Sequence, residues 1–153
     1  MGARAAWGTG NGQVLLAFDF GLSRIGVASG NLLTRTASPL TTLGVGRELP
    51  WREVDRLIEE WRPSRLLVGM PPQDSAANIG KEVRAFVAQL RERYALEVET
   101  VDESLTSRAA YSALTEQRRR GTGKGRIGKE RLDRHAACLI AEQWLNHERR
   151  ADQ

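Results

Sequence analysis

Val14-Leu15-Leu16-Ala17-Phe18 is an unbroken apolar run of five that stops at a carboxylate, Asp19, with Phe20 and Gly21 behind it. A run this short, closed by a glycine, fits a strand buried on both faces of a sheet. Burying Asp19 unpartnered would cost on the order of several kcal/mol. The acid therefore belongs at the strand's mouth, where the sheet opens to a ligand or cation. Gly21 permits the tight turn that follows. Ile25 and Val27 then alternate with Gly26 and Ala28, the pattern of a second hairpin strand. By itself an Asp-x-Gly is weak, because a turn cap uses the same residues. The rest of the chain decides between the two.

Downstream, strands are expected at about 13–19, 25–30 and 34–43, the third carrying Pro39 and so either ending near it or lying at an edge. From Trp51 the period changes: Val54, Leu57, Ile58 and Trp61 recur at helical spacing between Pro50 and Pro63. A buried strand at 65–69 ends in Gly69-Met70-Pro71-Pro72, which cannot continue it. Residues 73–78 read as a polar loop, 79–94 as an amphipathic helix, 96–101 as a strand and 107–117 as a helix. Residues 118–129 hold four glycines and six basic residues, and 130–147 is a last helix with a polar tail behind it. Helices between the later strands imply parallel crossovers. The fold class is α/β: one five-stranded mixed sheet, an antiparallel meander plus parallel crossover strands, flanked by helices. Residues 1–12 are expected to form a disordered tail, 13–148 a single domain and 149–153 a polar tail.

With 153 residues the chain can bury a full core in one domain. No stretch approaches the ~20 apolar residues of a membrane span. One cysteine, Cys138, leaves no internal disulfide and suits a reducing cytoplasm. The formal net charge is +4, and 20 of the 23 basic residues are arginine, whose planar fork matches phosphate. Nucleic acid is the expected partner, although arginine richness can also reflect codon usage. The protein is expected to be a monomer or a homodimer.

Three carboxylates occupy corresponding places. Asp19 ends the first strand, Glu103 follows the last, and Asp133 lies early in the final helix. Parallel neighbours would bring Asp19 and Glu103 to one edge, and the final helix has only to cross it to add Asp133. Carboxylate oxygens select Mg²⁺ or Mn²⁺, and three of them can hold two such ions about 3.5–4 Å apart. The basic segment leads straight into Asp133, so Arg118, Arg119, Arg120, Lys124, Arg126 and Lys129, with Arg24, are expected to hold the phosphate backbone. A solvated hinge is the plainer account of that segment. Cys138 reads as a small core residue and His135 as structural or surface; Asp102 is expected to face away from Glu103 and at most to support it from behind, and Asp74 and Asn78 to border the site.

Ala17-Phe18-Asp19-Phe20-Gly21 followed by Arg24-Ile25-Gly26-Val27-Ala28 resembles the signature of the YqgF family. Val68-Gly69-Met70-Pro71, Asp102-Glu103-Ser104-Leu105-Thr106 and Asp133 with Ala136-Ala137 resemble its other motifs, in the family's order. The resemblance runs from about residue 14 to 145. It implies an RNase H-like fold and a nuclease with Asp19, Glu103 and Asp133 as its catalytic and metal-binding acids. Such proteins are described as Holliday junction resolvases or pre-16S rRNA processing nucleases. Ser104 stands where the family usually has arginine, Ser23 where lysine is common, and residues 72–77 lack the usual Asp-Gly. Ala136 stands where related resolvases carry a fourth acid.

The resulting expectation is a metal-dependent endonuclease on structured RNA, with Mg²⁺ or Mn²⁺ as cofactor and precursor ribosomal RNA as the first choice. Branched DNA is the alternative substrate, and a non-catalytic nucleic-acid binder the alternative class. A sugar-kinase or actin-type phosphotransferase needs a second lobe that this length does not supply.

Overall fold

A computed structural model describes residues 13–71, 79–102 and 129–151. The described elements are β1 (Val14–Phe20), β2 (Arg24–Asn31), β3 (Thr36–Gly44), α1 (Trp51–Trp61), β4 (Arg65–Met70), α2 (Ile79–Tyr94), β5 (Glu97–Asp102) and α3 (Lys129–Ala151). The five strands form one sheet in the order β3-β2-β1-β4-β5. β1 pairs antiparallel with β2 and parallel with β4, and β4 pairs parallel with β5. This is the mixed sheet expected from the residue pattern, with β1 at its centre. The carboxyl ends of β1, β4 and β5 share one edge, where a sheet of this kind offers a ligand site.

Strand alternation divides the core in two. Leu16, Phe18 and Phe20 of β1 pack with Val54 and Ile58 of α1 and Val83, Phe86 and Leu90 of α2. Phe86 is the hub: its ring lies 5.7 Å from Phe18, edge-on, 5.0 Å from Phe20 and 5.6 Å from Trp51. On the other face Leu15 and Ala17 pack with Leu67, Val101 and Ile140, Ala141 and Leu145 of α3. Each large side chain so buried contributes about 1.5–3 kcal/mol. β1 is covered on both faces, which is why its run is continuously apolar.

Pro39 sits on β3, the edge strand, where a missing N–H is tolerated, and the β2–β3 register shifts there. α1 and α2 end on left-handed residues. The Arg62 N–H (φ 45°) donates to the Ile58 carbonyl at 2.8 Å, and the Ala95 N–H (φ 53°) to that of Arg91 at 3.2 Å. α3 runs to Ala151, beyond the expected end at 147, because Glu148-Arg149-Arg150-Ala151 contains no helix breaker. The helix expected at 107–117 and the basic segment 118–128 lie outside the described residues. No helix among the described residues is long and apolar enough to cross a membrane.

Candidate active site

Asp19 has the same parity along β1 as Leu15 and Ala17, so its side chain projects on the α3 face of the sheet. It is half-buried, at the carboxyl end of the strand. Across the β1–β2 ladder its partner is Gly26. Gly26 marks where α3 meets the sheet. A Cβ there would lie 2.1 Å from the Asp133 carbonyl oxygen, 2.3 Å from its carbonyl carbon and 2.8 Å from the Arg134 nitrogen. No side chain fits, so the α3 backbone at Asp133 rests directly on β2, beside Asp19's own cross-strand partner. Two acids 114 positions apart in the chain thus meet the same corner of the sheet.

The small residues of β2 set this approach. Ile25 and Val27 face the α1–α2 core, while Gly26 and Ala28 face α3, and Ala28 packs on Ala137 and Cys138. Farther along, Trp144 donates its indole N–H to the Glu99 carboxylate at 3.1 Å. The Arg65 guanidinium lies 4.9 Å from the Trp144 ring centroid and pairs with the same carboxylate. Arg35, in the β2–β3 turn, donates to the Leu145 carbonyl at 3.3 Å. α3 is therefore anchored at the far end, and its first turns lie over the edge that carries Asp19.

Arg24 opens β2 on the same face. Its Nε–H donates to the Asp133 Oδ2 at 2.7 Å, the two side chains being 32% and 24% exposed. The structure thus pairs Arg24, an expected phosphate contact, with the Asp133 carboxylate. That pairing joins residues 109 apart and has no local signature. Gly26 is the other residue whose role was not read from the pattern, although its signal was there: β2 is small on one face only, the mark of a closely docked helix.

Gly21 also serves by close approach, since a Cβ would sit 2.7 Å from the Arg24 carbonyl oxygen. The Val45 N–H donates to the Ser23 carbonyl at 2.9 Å and so ties the β1–β2 turn to the end of β3. Cys138 is buried, as expected, and burial aided by the Glu142 charge pushes its thiol up to about 11. His135 is half-buried on α3, and Asp102 is exposed at the end of β5.

Glu103, Asp74, Asn78, Arg118, Arg119, Arg120, Lys124 and Arg126 lie outside the described residues, and Lys129 opens α3. Among the described residues no three acid, imidazole or thiol groups gather into a metal site. Asp19 and Asp133 are all-oxygen donors of the kind hard cations take, and such a set needs a further oxygen ligand. Open hollows of about 640 Å³ line α1, one of them at Glu48–Glu53 and Gln89. They lie on the α1 side of the sheet, opposite the face that carries Asp19 and meets α3.

Comparison with known proteins agrees with this architecture. Residues 13–147 match the family model described as RuvX: Holliday junction resolvase. A Legionella pneumophila protein named "Putative pre-16S rRNA nuclease" is 42% identical over 135 residues, covering 86% of this chain and 94% of that one. A Francisella philomiragia protein of the same name is 34% identical over 136 residues, covering 87% and 96%. Among solved structures, Thermus thermophilus RuvC bound to a Holliday junction substrate superposes with a TM-score of 0.53 at 14% identity, covering 90% of this chain and 96% of that one. The fowlpox virus Holliday junction resolvase gives 0.55 at 11% identity, covering 88% and 99%. These neighbours establish the RNase H-like fold.

Proposed function

This chain belongs to the RuvX (YqgF) family of Holliday junction resolvases, and on that footing we propose that it is a metal-dependent endonuclease acting on structured nucleic acid, with precursor 16S ribosomal RNA as its substrate. The observation that carries the proposal is the contact of the Asp133 backbone with Gly26, the cross-strand partner of Asp19. It supports a reading in which the Asp19 and Asp133 carboxylates share the carboxyl edge of the parallel strands. Glu103, the residue after β5, is the proposed third acid. β5 is parallel to β4, and β4 to β1, so the chain leaves β5 at that same edge.

Asp19, Glu103 and Asp133 would hold Mg²⁺ or Mn²⁺. Bound there, divalent ions supply the activated water and the charge stabilisation for the leaving 3′ oxygen. The protein's own groups orient the substrate. The basic residues 118–129 lead into α3 and are proposed to grip the backbone on the approach to Asp133, with an affinity that falls as salt rises. The buried sheet beneath Asp19 keeps the acids on a rigid base. The reaction is proposed to run in the cytoplasm, in keeping with the single buried thiol.

Branched DNA is the second reading, favoured by the family description and by the Holliday junction bound in the Thermus neighbour. One experiment weighs both: purified protein with precursor 16S rRNA and with a four-way junction, each in Mn²⁺ and in EDTA. Cleavage of the RNA in Mn²⁺ alone is expected, with Asp19→Asn abolishing it while binding persists. Cleavage that survives Asp19→Asn would remove the acid from the mechanism. Binding without cleavage of either substrate would favour a non-catalytic nucleic-acid binder.

A further inference from the structure

Arg24 and Asp133 raise a question that the acids alone do not. A carboxylate proposed to bind a divalent cation already carries a cation, the Arg24 guanidinium, with Nε 2.7 Å from Oδ2. We propose that Arg24 is a resident counter-cation that competes with the divalent ion for Asp133, and that metal binding releases the guanidinium to take a phosphate of the nucleic acid. The inference rests on Asp133 being a metal ligand, as proposed above.

The pair suits exchange. The hydrogen bond runs from Nε to one carboxylate oxygen, not as a two-pronged fork, and both groups are partly exposed. Partly exposed pairs are weak and separate readily. A divalent ion on the same carboxylate would carry the same sign of charge as the guanidinium, and even the screened repulsion between them favours exchange over sharing. Arg24 starts β2, directly after the exposed Leu22 and Ser23, so its side chain has solvent to swing into. Arginine retains its charge throughout, and its fork matches two phosphate oxygens as well as it matches a carboxylate. Phosphate binding by the released group would favour the metal-loaded form, and by linkage metal and nucleic acid would then tighten each other's binding.

The test is Mn²⁺ titration by calorimetry of the full chain without nucleic acid, for wild type, Arg24→Met, Arg24→Lys and Asp133→Asn. Arg24→Met keeps the aliphatic stem and removes the charge. It is expected to tighten Mn²⁺ binding about two- to fivefold, the scale of one partly exposed ion pair, with Arg24→Lys nearer to wild type. A second measurement uses the unaltered protein: the Arg24 Nε–Hε resonance, bonded without metal, should lose that bond on titration with diamagnetic Mg²⁺. Unchanged or weaker Mn²⁺ binding in Arg24→Met would overturn the competition, as would an Nε–Hε signal indifferent to saturating Mg²⁺. Asp133→Asn separates the two levels. If it leaves Mn²⁺ binding intact, the metal site itself is misassigned; if it abolishes binding while Arg24→Met changes nothing, only the competition fails.

Discussion

Gly26 is the residue on which the corner of the site turns. An added methyl would meet the backbone of α3 and not the end of a flexible side chain, so the helix itself must shift. Gly26→Ala is expected to cost roughly 1–3 kcal/mol or more in strain. In a chain of this size that is about 2–4 °C in melting temperature per kcal/mol. Cleavage should fall far more than stability, because the displaced backbone carries Asp133; melting curves measured beside cleavage rates check this. Cys138 sits one turn farther along the same contact. Its thiol ionises near 11 in the fold, against about 8.5 in a free chain. The folded protein therefore holds its proton where the unfolded chain gives it up. That share of stability is complete below about pH 8.5 and declines as pH rises toward 11. Iodoacetamide should label the native protein at pH 8 far more slowly than the unfolded chain.

At the scale of elements, the helix ends and helix contacts hold the frame. Ala95 closes α2 at φ 53°, a conformation that costs a residue bearing a Cβ roughly 1–2 kcal/mol and glycine almost nothing. Its side chain is exposed. Ala95→Gly should raise the melting temperature by a few degrees, offset in part by glycine's freedom in the unfolded chain; calorimetry decides. α1 and α2 are further joined by a polar cluster. Arg93 donates to Asp55 at 3.1 Å, its guanidinium lies 4.7 Å from the Trp51 ring centroid, and the Tyr94 hydroxyl also donates to Asp55. Burial, followed by the Asp55 contact, pushes the Tyr94 phenol up. Its contribution is thus present below about pH 10 and lost in stronger alkali. The hydrophobic periods of these helices were plain in the residue pattern. Their left-handed ends were not, because Arg62 and Ala95 are not residues that announce such a turn.

For the whole molecule, charge and fold divide the work. Asp19 lies at the carboxyl end of β1, and a strongly basic stretch of chain, 118–129, leads into the helix that carries Asp133. Clustered acids repel phosphate, so binding should depend on those basic residues and weaken steeply between 50 and 200 mM salt. Replacing Arg118, Arg119 and Arg120 together by glutamine should reduce the slope of log K against log salt by about 2 on single-stranded RNA, given roughly 0.7 per phosphate contact. A titration series at several salt concentrations reads this directly. An unchanged slope would leave those arginines as solvated surface.

Much of the architecture was determined locally, and the sequence carries it openly. Apolar runs set the strands, helical spacing set α1 and α2, and the double-sided burial of β1 put Asp19 at a strand end. These follow from periodicity, which acts over a few residues. The meeting of Asp133 with Gly26, and the pairing of Arg24 with Asp133 across 109 positions, came only with the tertiary structure. The reason is physical: how closely a helix docks depends on every small and large residue along two facing surfaces at once, and no local period records their sum.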